Sequence, residues 1–128
     1  VFDECRIFGK SGGYYTAAST PDTTKFGYVF IKCNMEGDAG RHSFYLGRPW
    51  RPYAKTVFID CEMSEVVKPE GWNNWGKSSN EATTFYAEYH NKGKGASLDK
   101  RVTWSHQLTK EQAAAYTLQE IFRDWDVY

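Results

Sequence analysis

The heptapeptide 57-VFIDCEM-63 has close echoes at 1-VFDECRI-7 and 29-VFIKCNM-35. Val falls at 1, 29 and 57, Phe at 2, 30 and 58, and Cys at 5, 33 and 61, a constant step of 28 residues. One more step lands on 85-FYAEYHN-91, where Phe85, Tyr86 and Tyr89 are expected in the Val, Phe and Cys places. A short apolar core recurring at a fixed step buries little alone and much when stacked on its copies. The cores are β-branched and aromatic, which favours strands over helices. The expected fold is therefore all-β: a right-handed, single-stranded parallel β-helix with about 28 residues per coil.

Working outward, YYTAAS at 14–19 and HSFYLG at 42–47 also sit one step apart and suggest a second ladder, with RVTW at 101–104 near the same phase. The polar strings 36-EGDAGR-41 and 91-NKGKG-95 read as corners. Three Cys is an odd count, and one per coil predicts an inward stack of small apolar side chains. The segment 108-LTKEQAAAYTLQEIF-122 changes character. Thr109 is placed as an N-cap with Gln112 at the capping-box position, predicting a short helix packed over the end of the solenoid. The division expected is coils over 1–107 and a helical segment over 108–128.

The chain has 128 residues, enough for one domain with a real core. Lys plus Arg and Asp plus Glu are 16 each, so no basic surface calls for nucleic acid or an anionic membrane. No apolar run approaches the roughly 18 residues of a membrane span. Aromatics reach 17%, with five Trp and nine Tyr, which fits an aromatic core or a surface that stacks on flat ligands such as sugar rings. Val1 opens directly into a strand-like run, without Met or a signal-like lead, so an upstream part is expected.

Most candidate chemistry reduces to scaffold. GKSGG at 9–13 matches G-x-S-x-G, but a strand-like run follows it instead of a helix, so it reads as a corner. Ser105 and His106 are sequence neighbours and on a strand would face opposite ways. No spacing of Cys or His suits a metal, and no cofactor is expected. Arg48 stands apart. It lies in 46-LGRPW-50 between Gly47 and Pro49, and Pro49 and Pro52 cannot donate to a ladder, so the strand must turn here. The direction of Arg48 is open at this stage. A rigid arginine beside Trp50 suits a carboxylate partner with a flat ligand close by; a structural arginine paired with a local Asp is the alternative.

At LGRPW the chain resembles the pectin methylesterases, carbohydrate esterases on a right-handed parallel β-helix. The likeness runs through VFDECRI, 20-TPDTTKFGYVFIKC-33, TVFIDCEM, 69-PEGWNNWGK-77, 84-TFYAEYHNKGKGA-96 and 101-RVTWSHQLTKEQAAAYT-117, nearly the whole chain in order. The first two are like the bacterial members. Ala87 replaces a common Gly, and Lys94 stands where many members have Pro. The resemblance implies hydrolysis of galacturonate methyl esters in pectin to methanol and a free carboxylate. An Asp attacks the carbonyl, a second Asp serves as acid and then base, and Gln side chains hold the oxyanion. It also implies that Arg48 bonds and orients the nucleophilic Asp, that Trp50 lines the sugar cleft, and that Trp72 is a further aromatic wall.

In that family both Asp residues and the oxyanion Gln belong to QDT-like and DFIFG-like segments upstream. Neither string occurs here, and Asp3, Asp22, Asp38 and Asp60 match neither motif. The expectation is the C-terminal portion of a secreted or periplasmic pectinesterase, inactive without its upstream half. A noncatalytic pectin-binding solenoid is the alternative. A polysaccharide lyase would need an acidic calcium-type cluster near a basic residue, which the sequence does not offer.

Overall fold

In the computed structural model Phe2, Phe30 and Phe58 lie one above another, with ring centroids 4.7 and 4.5 Å apart and planes nearly parallel. The structure describes residues 1–123 and 125; the rest of the expected 108–128 segment lies outside them. The stack follows from the register: β1 (Phe2–Asp3) pairs with β4 (Tyr28–Ile31) and β4 with β7 (Lys55–Ile59), all parallel, Phe opposite Phe. β9 (Phe85–Tyr89) and β10 (His106–Gln107) complete this first sheet. A second sheet contains β2 (Arg6–Gly9), β5 (Asn34–Gly37) and β8 (Glu62–Met63), and a third β3 (Gly13–Thr16) and β6 (Phe44–Gly47). The fold is a parallel β-helix with three sheets as its walls.

The inner core holds Phe30, Phe58, Met35, Met63, Leu46 and Trp72, with Cys33 and Cys61 fully buried and Cys5 packed against them. The Cys33 and Cys61 thiols donate to carbonyls two residues back and to carbonyls of the preceding coil. Equivalent corners place Glu4, Lys32, Asp60 and His90 in the left-handed region, with φ from 53 to 56°. Their geometry lets Glu4, Lys32 and Asp60 each donate a backbone N–H to the next coil at 2.9–3.0 Å.

The 28-residue step holds in the first two sheets of the first three coils and fails elsewhere. Tyr14 pairs with Tyr45, not His42, because the corner after β5 is longer than the corner after β2. In the fourth coil Val57 faces Ala87 and Phe58 faces Glu88, so Phe85, Tyr86 and Tyr89 do not take the Val, Phe and Cys places. The chain between β8 and β9 is lengthened by loops and a 3₁₀ segment, Ser78–Ala82. RVTW forms no strand; Val102 donates to the Glu70 carbonyl at 3.0 Å.

The helical segment is shorter and differently seated than expected. Thr109 caps α1 (Lys110–Ala113) in a capping box with Gln112. A 3₁₀ turn (Ala114–Tyr116) follows, and Thr117, extended, caps a second short helix α2 (Leu118–Ile121). Thr117 thus splits one run into two, since an N-cap leaves the helical region. Leu108, Ala113 and Tyr116 pack on Val57, Ile59 and Ala87. They cover the outer face of the first sheet, where alternation sends the residues between the core phenylalanines, and not the end of the solenoid.

Candidate active site

The LGRPW corner is fixed by its backbone. Leaving β6, Arg48 and Trp50 donate to the carbonyls of Thr16 and Ala18 in the preceding coil, at 3.1 and 2.9 Å. Gly47 has no room for a side chain: a Cβ would strike Thr16 Oγ1 and come within 3.2 Å of the Trp72 ring. The close approach puts Arg48 in a position that strand alternation does not give. Its guanidinium carbon lies 4.0 Å from the centroid of Tyr14, a residue on the outer side of β3, and 3.6 Å from that of Trp75. Two rings this near one carbon cannot share a face, so the guanidinium is held between them.

Stacking occupies the faces of the guanidinium and leaves its edge for hydrogen bonds. At that edge the Arg48 Nε is buried and has no hydrogen-bond partner among the described residues. Among the described residues no Asp, the alternative partner considered, bonds that Nε.

The aromatic surface extends in both directions. Trp50, 62% exposed, lies 5.7 Å from Trp75, and Tyr14 stacks on Tyr45 at 5.3 Å. Lys68 Nζ sits 5.0 Å over Tyr45, beside a cleft of about 350 Å³ that also takes in Ser11, Gly13 and Ser43. Trp75 is held by turn chemistry: Asn73 Oδ1 accepts its backbone N–H at 2.8 Å, and Asn74 Oδ1 accepts that of Gly76 at 2.8 Å.

Trp72, expected as a cleft wall, is a core residue. It is 1% exposed, stacks on Tyr86 at 4.3 Å and donates its indole N–H to Glu88 at 3.3 Å. The tryptophan against Arg48 and Trp50 is Trp75, three positions on. The signal was 73-NNWG-76, whose Asn and Gly mark a loop, whereas Trp72 aligns with Gly47 in a β-bridge. GKSGG is a corner between β2 and β3. The Ser105 hydroxyl donates to the Val102 carbonyl at 2.8 Å, while the His106 ring meets the edge of Phe85. Among the described residues no cluster of His, Cys, Asp and Glu could hold a metal ion, and no helix is long and apolar enough to cross a membrane.

A family model described as Pectinesterase matches residues 1–124. The chain belongs to the pectinesterase family. Pectinesterase 31 of Arabidopsis thaliana is 34% identical over 117 residues, taking in 91% of this chain and 37% of that protein. The pectin methylesterase of Yersinia enterocolitica superposes with a TM-score of 0.80 at 28% identity, covering 98% of this chain and 48% of that one. A pectin methylesterase solved in complex with a hexasaccharide superposes at 0.79 with 26% identity, over 99% and 46%. The chain thus spans under half the length of these pectinesterases. The curated relatives matched are plant enzymes, and the bacterial-like form of the opening segments finds no support among them.

Proposed function

We propose that this chain is the C-terminal portion of a secreted or periplasmic pectin methylesterase and supplies one wall of its active site. The observation that carries the reading is the Arg48 guanidinium, stacked between Tyr14 and Trp75 with its buried Nε unpaired. A planar cation with covered faces and a free edge suits a carboxylate. The partner is the nucleophilic Asp of an upstream segment. Arg48 keeps that Asp ionised and aimed, because a neighbouring opposite charge favours the charged form. The Asp attacks the C6 ester of a galacturonate unit, methanol leaves, and water frees the carboxylate.

The aromatic residues bind the polymer. Trp50 offers its exposed ring to a sugar face, and Trp75 both lines the cleft and clamps Arg48. The isolated chain carries the orienting arginine and the sugar wall without nucleophile or oxyanion donors, so it is inactive alone and active joined to its upstream coils. The test is methanol release from methyl-esterified pectin by the isolated chain, by the full-length protein, and by full-length Arg48→Ala. Release by the full-length protein alone is expected; full-length protein that binds pectin without releasing methanol would make this a binding solenoid.

A further inference from the structure

The fourth coil breaks the phenylalanine ladder with a buried ion pair. Glu88 occupies the position opposite Phe58, and Arg101 meets it with Nε to Oε2 at 2.9 Å and Nη2 to Oε1 at 3.0 Å. The side chains are 2% and 3% exposed. The remaining N–H groups of Arg101 go to main-chain carbonyls: Nη1 to Lys68 and Pro69 at 3.2 and 3.1 Å, and Nη2 to Gly95 at 2.8 Å. All five guanidinium donors are thereby engaged. Glu88 Oε2 also accepts the Trp72 indole N–H.

All of these partners but Gly95 lie on one stretch of chain. Lys68, Pro69 and Trp72 belong to the stretch leading to Trp75, the ring over Arg48. Val102 donates to Glu70 at 3.0 Å, Gly71 accepts from Leu46 at 2.6 Å, and Asn73 donates to Gly47 at 3.0 Å, docking the stretch against the strand that presents Arg48. A buried guanidinium needs every N–H paired, and here two of the three carbonyls that do this, those of Lys68 and Pro69, lie on the stretch leading to Trp75; apolar residues of similar volume often serve stability as well.

We propose that Glu88 and Arg101 are positioning residues for the cleft: together they hold Lys68–Trp75 so that the Trp75 ring clamps Arg48. The inference rests on the esterase reading for its kinetic consequence and on geometry alone for the clamp.

The test uses the full-length protein with Glu88→Gln, Arg101→Lys and the double variant Glu88→Leu/Arg101→Met. Three quantities are measured: the urea midpoint, kcat and KM on methylated pectin, and the Trp50–Trp75 contribution to circular dichroism, assigned by difference against Trp50→Phe. The single variants should lower kcat at least 10-fold and weaken the tryptophan signal at temperatures where they remain folded. The double variant should recover the midpoint while kcat and the tryptophan signal stay low. A double variant with wild-type kcat, or folded single variants with wild-type kcat and signal, would overturn the proposal. Full-length wild type that releases no methanol sinks the esterase reading instead, and the dichroism then decides the clamp by itself.

Discussion

The guanidinium carbon of Arg48 lies 3.6 Å from the ring centroid of Trp75, although the two come from different corners of the solenoid. Each residue fixes the other. Gly47 and Pro49 set where the arginine leaves its strand, and the Asn73 and Asn74 turns set where the indole arrives.

The first expectation concerns how Arg48 acts. In the full-length protein Arg48→Ala should lower kcat about 100-fold, roughly 2.7 kcal/mol of transition-state stabilisation, and leave KM within about threefold. Arg48→Lys should recover only part of this, because an ammonium lacks the planar fork. Trp50→Ala should raise KM several-fold at nearly constant kcat. Steady-state kinetics on pectin of defined methylation checks all three.

Burial separates the two tryptophans named from the sequence. Trp72, 1% exposed, should cost about 3–5 kcal/mol when changed to Ala, through the lost transfer energy and the cavity left beside Tyr86 and Phe58. Trp50, 62% exposed, should change stability by less than about 0.5 kcal/mol. Urea unfolding of the two variants reads the difference directly.

Those two residues also mark how far the sequence could be read. The Val-Phe-Cys repeat is periodic, and periodicity records which side chains stack, so the coils and the phenylalanine ladder were legible. Corner lengths carry no period, so the pairing of Tyr14 with Tyr45 was not. Arg48 was identifiable as a candidate from its Gly-Arg-Pro setting, but its direction depends on Trp75, a contact between distant segments that no local pattern encodes. Trp72 and Trp75 lie in one short string; the Asn and Gly of 73-NNWG-76 mark the second as a loop residue, but the burial of the first is given only by the fold. Glu88 was hidden for a related reason: with the third-to-fourth step taken as 28 residues and not 30, its glutamate did not register as the residue facing Phe58.

Gly47 should resist any side chain. Gly47→Ala puts a Cβ onto Thr16 Oγ1 and against the Trp72 ring, and overpacking of this kind costs about 1–3 kcal/mol. The strain falls one residue before Arg48, so kcat should fall along with the thermal midpoint. Loss of stability with unchanged kcat would show that the corner position tolerates the shift.

Alkaline pH should unfold this protein earlier than a solenoid without inward thiols. Burial pushes the Cys61 thiol up from 9.0 to about 12 and raises Cys33 as well. The folded state therefore keeps its proton where the unfolded chain ionises. The stability is complete below the unfolded pKa, near pH 9, and is lost as pH rises toward 12, at about 1.4 kcal/mol per pH unit for one thiol. Half-buried Tyr15 and buried Tyr86 are raised too and add to the loss at higher pH. Urea midpoints from pH 8 to 11 should fall steeply above pH 9, and Cys61→Ala should flatten that slope whatever its midpoint at pH 8.

The most direct measurement of the central claim is whether Arg48 orients an upstream aspartate. Methanol release from methylated pectin is followed over pH for the full-length protein and for Arg48→Ala. The expected result is activity in the wild type, and in the variant a large loss of kcat with the acidic limb of its pH profile moved upward, because an Asp without its arginine holds its proton to higher pH. Unchanged kcat with an unshifted acidic limb in Arg48→Ala would contradict the account.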